Sequence, residues 1–150
     1  MTAIELIKSG AKLSDEKEFK FDQDKAAIII WSLLNSNSNL LNKDEKISLA
    51  KSAVKYGFFD INAKNKNGWT LLMDLSQGDS LLQNSYEIAG MLIEAGADVN
   101  ISTNEGITAL MIAAHNNQAE IIKELVNHGA NLEAKDSDED SALTVAITAG

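Results

Sequence analysis

The chain has 150 residues, a net charge of −9 and 45% hydrophobic residues, which is typical of one globular domain. It contains no cysteine, which excludes disulfides and thiolate catalysis, and no apolar run of about 20 residues that would predict a transmembrane helix. All thirteen basic residues are lysine, and the acidic excess disfavours a nucleic-acid backbone as a partner.

The N-terminal part of the chain contains three predicted helices. We expect residues 1–24 to form a cap helix and a charged connection, and Lys25–Leu34 and Glu45–Tyr56 to form a divergent repeat over 25–61. The N-terminus lacks a basic start followed by a long apolar region, so no secretory signal is recognised and a cytoplasmic location is expected. Export by a signal-free route stays open.

Five shorter helices follow. Thr70 and Thr108 stand where a helix needs an N-cap, and Gly96 and Gly129 stand where a helix ends in a left-handed residue. The predicted helices are Leu71–Ser76, Tyr86–Glu94, Ala109–His115, Ala119–Asn127 and Ala142–Thr148. Apolar residues spaced three to four apart predict the buried face of the fourth helix, namely Ile121, Ile122, Leu125 and Val126.

The same sequence signals recur along the chain. GADVN from Gly96 matches GANLE 33 residues later, and GWTLLM from Gly68 matches GITALM 38 residues later. A degraded copy follows, with Glu139 where the turn glycine Gly106 would fall. Successive helix ends are marked by Gly10, Gly57, Gly96 and Gly129. Helix pairs this short bury too little area alone to offset their ordering entropy, so we expect them to stack on one another.

This order of elements resembles the ankyrin repeat family. Its 33-residue unit has a glycine turn, a first helix of T-P-L-H-x-A-A type, a second of E-I-V-x-x-L-L type and a closing G-A-D-V-N-A. The resemblance is strongest over 100–132, where the matching residues are Gly106, Thr108, Leu110, Ala113, Ala114, Glu120, Ile121, Ile122, Leu125, Gly129 and Ala130. It implies an all-α solenoid of stacked helix-turn-helix units with short β-hairpin fingers. We expect one domain over 1–150, with a repeat carrying an insertion at 62–99, the best-formed repeat at 100–132 and a partial repeat at 133–150.

The chain departs from the family pattern at two helix positions and in one loop. The family proline is replaced by Leu71, Ala109 and Ala142, and the family histidine by Met73, Met111 and Thr144. In the family that histidine ties neighbouring turns together, so we expect lower stability than in consensus-like arrays. The loop between the first two of the five short helices, 77–85, is five residues longer than the family unit allows.

The residues predict neither catalysis nor metal binding. His115 and His128 are thirteen positions apart and fall at the ends of different helices, which is not a metal-ligand spacing. The acidic stretch from Asp136 to Asp140 lacks the central glycine and the terminal glutamate of a calcium loop. We therefore expect no enzyme, no cofactor and no metal, with the acidic stretch forming a solvated finger tip.

The resemblance implies a concave groove, lined by finger tips and the exposed side of the first helices, that binds another protein. Carried over by position, it assigns to the partner site Lys66, Asn67, Trp69, Gln77, Asn104, Glu105, Ile107, His115, Asn116, Ser137, Asp138 and Asp140. Trp69 and Ile107 both follow a turn glycine, and an exposed tryptophan beside an isoleucine is typical of a binding hot spot. Alternatively, Trp69 folds back onto Leu71 or the preceding finger, and both interpretations stay open.

Charge also differs from finger to finger. The first finger carries Lys64 and Lys66, and the second carries Glu105. The third carries Asp136, Asp138, Glu139 and Asp140. A groove whose charge changes from basic at one end to acidic at the other would orient a partner. Charged tips that merely keep the fingers soluble are the alternative.

Three functions are consistent with the sequence. The favoured one is a non-catalytic module that binds another protein and neither nucleic acid nor membrane. The net charge of −9 also suits an inhibitor that neutralises a basic enzyme, as small bacterial immunity-type proteins do. The helix with Leu143 and Ile147 is expected to leave an apolar face open, which suits either the targeting part of a larger effector or enzyme, or self-association.

Overall fold

The computed structural model describes residues 60–78 and 85–150, with two isolated helical positions, Glu45 and Ser48. The chain divides at Asp60 into two units, and the second, Ile61–Gly150, holds nearly all described residues. The predicted cap helix, most of the divergent repeat and most of the 77–85 loop lie outside the described residues. The single domain over 1–150 stays a prediction.

Five helices are present in the described part of the second unit. They are α1 (Leu71–Ser76), α2 (Ser85–Glu94), α3 (Ala109–His115), α4 (Ala119–Asn127) and α5 (Ala142–Ala149). The predicted bounds of α1, α3 and α4 are confirmed, and α2 and α5 are each one residue longer than predicted. We call 62–99 repeat 1, 100–132 repeat 2 and 133–150 repeat 3.

The inner helices begin in the same way. Thr70, Thr108 and Ser141 each have extended backbone, and each side-chain oxygen accepts a hydrogen bond from the backbone N–H three residues later, at 3.3, 3.4 and 3.4 Å. This satisfies one of the donors that a helix start leaves without an intrahelical partner. The caps predicted at Thr70 and Thr108 are confirmed.

The outer helices end at the predicted glycines. Gly96 and Gly129 have φ values of 97° and 84° and reverse the chain direction after α2 and α4. The next residue then bonds back into the helix, Ala97 N–H to the Leu92 carbonyl at 2.9 Å and Ala130 N–H to the Leu125 carbonyl at 3.0 Å. Glycine is favoured here because a side chain is strained at positive φ.

A finger precedes each inner helix, over 62–70, 100–108 and 133–141. A left-handed residue turns each finger, with φ of 80° at Gly68 and Gly106 and 65° at Glu139. Backbone bonds of 2.8 to 3.0 Å close the three hairpins, and the second finger also forms an antiparallel β-bridge between Ser102 and Thr108. Glu139 therefore occupies the turn position that the sequence assigned to it.

The described helices stack in two layers. Within a repeat α1 contacts α2 and α3 contacts α4, and between repeats α1 contacts α3, α3 contacts α5 and α2 contacts α4. The side chains fully buried between the layers are Leu72, Met73, Ile88, Leu92, Ile121 and Leu125. This arrangement is the predicted all-α solenoid of helix-turn-helix units.

One predicted core position is wrong. Val126 was assigned to the buried face of α4, but its side chain is 41% exposed, whereas Ile121 and Leu125 are 1% and 0% exposed. Its counterpart in repeat 1, Ile93, is 5% exposed, and α4 packs against the helix that carries it. Among the described residues no further outer helix packs on α4, so Val126 stays in contact with solvent.

Candidate functional site

Each finger is held by one oxygen-bearing side chain. Asn65 Oδ1, Thr103 Oγ1 and Asp136 Oδ1 each accept hydrogen bonds from the backbone N–H groups two and four residues further on, at 2.9 to 3.2 Å. The sequence analysis missed these three residues. The signal that could have found them is an oxygen-bearing side chain three positions before each turn residue.

The fingers are also tied to one another. Lys64 Nζ in the first finger donates to the Ser102 carbonyl of the second at 3.0 Å, and Ser137 N–H in the third donates to the Glu105 carbonyl at 2.8 Å. A Cβ atom added at Gly106 would lie 2.9 Å from the backbone of the third finger. Close backbone approach therefore fixes the spacing of the fingers.

Asparagine side chains join the first residue of a repeat to the turn that ends the same repeat. Asn62 Oδ1 accepts from Asp98 N–H at 2.9 Å, and Asn100 Oδ1 accepts from Asn131 N–H at 2.7 Å while its Nδ2 donates to the Gly129 carbonyl at 3.1 Å. The residues at the family histidine position also act within their own repeats. Met73 and Met111 are buried, and Thr144 Oγ1 accepts from Ser141 N–H and donates to the Ser141 carbonyl. The expected lower stability stays a prediction.

An open groove of about 400 Å³ crosses the inner face of all three repeats. Its walls consist of Trp69, Gln77, Ile107, Met111, Ile112, His115, Asn116, Asp136 and Val145. Five of the predicted site residues are among them: Trp69, Gln77, Ile107, His115 and Asn116. A groove of this size suits one or two large side chains of a partner.

The other seven predicted residues lie on the fingers. Six of them are exposed and Asp140 is half-buried; the six are Lys66, Asn67, Asn104, Glu105, Ser137 and Asp138. The structure therefore divides the predicted site into a groove and a row of finger tips beside it.

Trp69 and Ile107 both lie in the groove wall, and both are half-buried. The hydrogen bonds of the first finger set the position of Trp69, because its N–H donates to Asn65 Oδ1 at 3.1 Å and its carbonyl accepts from Asn65 N–H at 2.8 Å. Its side chain is thus part of the groove and retains exposed surface.

Four groove residues were not predicted: Met111, Ile112, Asp136 and Val145. Ile112 and Val145 each follow their helix cap by four positions, so the repeat register could have identified them. The register also shows how the groove changes along the stack, because the position after the turn residue is Trp69, then Ile107, then Asp140. The side chain at this position is thus aromatic in repeat 1, aliphatic in repeat 2 and anionic in repeat 3.

The two histidines occupy separate places. His115 is exposed at the end of α3, in the groove wall, while His128 follows α4 and its Nδ1 lies 2.8 Å from the Glu124 carbonyl oxygen. Within residues 60–78 and 85–150, no three His, Asp or Glu side chains are grouped as metal ligands would be. In the acidic finger, Asp136 instead uses a carboxylate oxygen to hold the turn.

The comparison with known proteins agrees with this architecture. A family model describing three copies of the ankyrin repeat matches residues 80–150. These residues are ankyrin repeats. In the described part of the chain, no helix is long and apolar enough to cross a membrane.

Proteins similar to this chain come from vertebrates and viruses. The fibronectin type 3 and ankyrin repeat domains 1 protein of mouse is 49% identical over 51 residues, which is 34% of this chain and 14% of the mouse protein. Ankyrin repeat protein 14 of vaccinia virus (strain Western Reserve) is 35% identical over 75 residues, 49% of this chain and 30% of the viral protein. Protein fem-1 homolog C of Xenopus laevis is 36% identical over 58 residues, 39% of this chain and 9% of the frog protein. The matches thus cover less than a third of each relative.

Proposed function

We propose that the groove across the three repeats binds a segment of another protein and that the chain does so without catalysing a reaction. Ankyrin repeats are a general protein-interaction module. The observation that supports this site is the continuous groove, whose lining combines the apolar side chains of Ile107, Ile112 and Val145 with polar residues. Protein interfaces commonly combine apolar area with polar groups that form hydrogen bonds.

The groove is formed before any partner arrives. Each finger is closed by its own hydrogen bonds, and neighbouring fingers are joined through Lys64 and Ser137. Little backbone ordering is then required on binding, so more of the contact energy appears as affinity.

Trp69 is the residue that we expect to contribute most. It is the largest side chain among the groove residues, it is half-buried, and it lines the groove together with the aliphatic side chains of Ile107 and Ile112. Aromatic side chains that are positioned in this way dominate the energy of many interfaces.

A substitution in the intact chain tests this proposal. After a partner has been captured from the native cell and purified, Trp69→Ala should weaken its affinity about 30-fold, the effect of a hot-spot residue. Tyr86→Ala is the matched control, since Tyr86 is a 47% exposed aromatic residue on α2, outside the groove. Circular dichroism would verify that both variants stay folded. Equal affinity of the Trp69→Ala variant and the unchanged chain would remove the groove from the proposal.

An inhibitor of a basic enzyme is the second candidate. The net charge of −9 and the concentration of carboxylates on the third finger favour it. Such a complex would associate through electrostatic steering, so its association rate should fall steeply as salt is raised. An association rate that does not change with salt would exclude the inhibitor of a basic enzyme. The general protein-binding function would still be possible.

A targeting role within a larger protein is the third candidate. The matches cover at most 30% of each similar protein named above, and the name of the mouse relative combines ankyrin repeats with fibronectin type 3 domains. The mass of the natural product would test this, because a native chain of 16.2 kDa contradicts it.

A further inference from the structure

The three fingers beside the groove carry opposite charges at its two ends. The first finger, 62–70, holds two lysines and no acidic residue, and the second, 100–108, holds a single glutamate. The third, 133–141, holds five carboxylates and one lysine, Lys135, whose Nζ donates to the Glu139 carbonyl within the same finger. Among the three fingers, negative charge is thus concentrated at one end of the groove.

A carboxylate also lies in the groove wall itself. Asp136 is half-buried and lines the groove together with Ile107, Ile112 and Val145. Its Oδ1 accepts two backbone N–H bonds, from Asp138 and Asp140, while Oδ2 accepts none from the residues that the structure describes. A carboxylate next to apolar side chains interacts more strongly with a cation than one surrounded by water, because the local dielectric is lower.

The same anionic character extends outward from the groove. Asp138 is exposed at the tip of the third finger, and Asp140 occupies the position that is Trp69 in repeat 1 and Ile107 in repeat 2. A partner chain that crosses the groove therefore meets aromatic and aliphatic surface first and negative charge afterwards.

We infer that the partner segment carries one large apolar side chain, which enters the groove, followed by lysine or arginine residues that face the third finger. This inference rests on the proposed function and adds the chemistry and the direction of the ligand. Arginine suits the site especially well, since its guanidinium can bond two carboxylate oxygens while its stem packs on the valine and isoleucine.

The reverse orientation is disfavoured by like charge. If the segment bound in the opposite direction, its basic residues would lie near Lys64 and Lys66 on the first finger. The other end of the segment, neutral or acidic, would then lie against the acidic third finger. Like charges that face one another at an interface are costly, and this cost selects between two orientations of the same contact surface.

Selection from a peptide library tests the inference. The intact 150-residue chain would be immobilised and used to select from a random library of twelve-residue peptides displayed on phage. We expect the bound peptides to combine one aromatic or large aliphatic residue with two or more lysine or arginine residues on one side of it. Their affinities should fall about 3- to 10-fold between low and physiological salt, because two or three exposed charge pairs are screened.

Charge reversal on the third finger supplies the decisive variant. Asp138→Lys with Asp140→Lys should weaken the selected peptides about tenfold or more, since it replaces attraction with repulsion. Glu94→Lys with Glu120→Lys is the matched control, because it changes the net charge equally at exposed positions of α2 and α4. Circular dichroism of both variants separates loss of binding from loss of the fold.

The outcomes distinguish this inference from the function on which it rests. Selected peptides that bind through Trp69 but carry no basic excess, or that tolerate the reversal at Asp138 and Asp140, keep the groove and overturn the inferred charge. Basic peptides that bind equally well to the Trp69→Ala variant overturn both. A library that yields no binding peptide also overturns the inference, because a preformed groove that suits apolar and basic side chains should enrich peptides that carry them.

Discussion

Repeats 2 and 3 share one sequence pattern but bury it differently. Leu110 on α3 is 3% exposed, whereas Leu143, at the same position of α5, is 70% exposed. Repeats 1 and 2 differ in the same way at their last apolar residue, since Val99 is 6% exposed and Leu132 is 53% exposed. In the described residues α3 packs against α1, α4 and α5, while α5 packs closely against α3 alone. The comparison shows that a repeat supplies an apolar surface and that its neighbours decide whether this surface is buried.

Truncation of the paired leucines should give the largest difference. Leu110→Ala removes a buried side chain and leaves a cavity between the helix layers, so it should lower the free energy of unfolding by about 2–5 kcal/mol. Leu143→Ala removes an exposed side chain and should change it by about 0.5 kcal/mol or less. Urea denaturation of the intact chain, followed by circular dichroism, measures both values. If Leu143→Ala lowered the free energy of unfolding as much as Leu110→Ala, α5 would be covered in solution. The proposed difference between the buried and the exposed leucine would then be wrong.

The turn residues should give the next largest effect, with opposite signs in the two repeats. Gly106→Ala places a Cβ at a φ of 80° and 2.9 Å from the third finger, so we expect it to destabilise the chain by about 1–3 kcal/mol. Glu139 is a non-glycine residue at a φ of 65°, so Glu139→Gly should stabilise the chain by up to about 1 kcal/mol by relieving that strain. Thermal unfolding of both variants compares them directly. A neutral Gly106→Ala variant would mean that the fingers separate easily.

The residues at the finger bases should give the smallest effect. Asn100→Ala removes two exposed side-chain hydrogen bonds, to the Gly129 carbonyl and from the Asn131 N–H. We expect the free energy of unfolding to fall by about 1 kcal/mol. Glu133 holds the same position in repeat 3 and is exposed, and Glu133→Ala should change stability by less than about 0.5 kcal/mol. Hydrogen exchange at the Asn131 amide would report the loss locally. Unchanged protection in the Asn100→Ala variant would contradict a role for this asparagine in tying the start of repeat 2 to its end.

The local features of the fold were predictable from the sequence. The caps at Thr70 and Thr108 and the glycine turns at Gly96 and Gly129 depend on a few adjacent residues, and the helix bounds followed from them. The assignment of Glu139 to a turn came from the repeat register alone, although a glutamate at positive φ is unusual.

The candidate site was only partly predictable. Trp69 and Ile107 were found because they adjoin turn glycines, and His115 and Asn116 because they end an inner helix. Ile112 and Val145 were missed because an apolar residue on an apolar helix gives no local sign that it lines a groove. Asp136 was missed because its role in the third finger depends on backbone groups two and four residues away.

The sequence by itself determined where helices begin and end, where the chain turns, and that the units repeat, since caps, glycines and spacing act through neighbours along the chain. The tertiary structure alone decided that Val126 meets solvent and that Asp136 lines the same groove as Ile112 and Val145. The reason is physical: burial and electric field depend on what lies nearby in space, and in a stack of repeats that is set by the adjacent repeat.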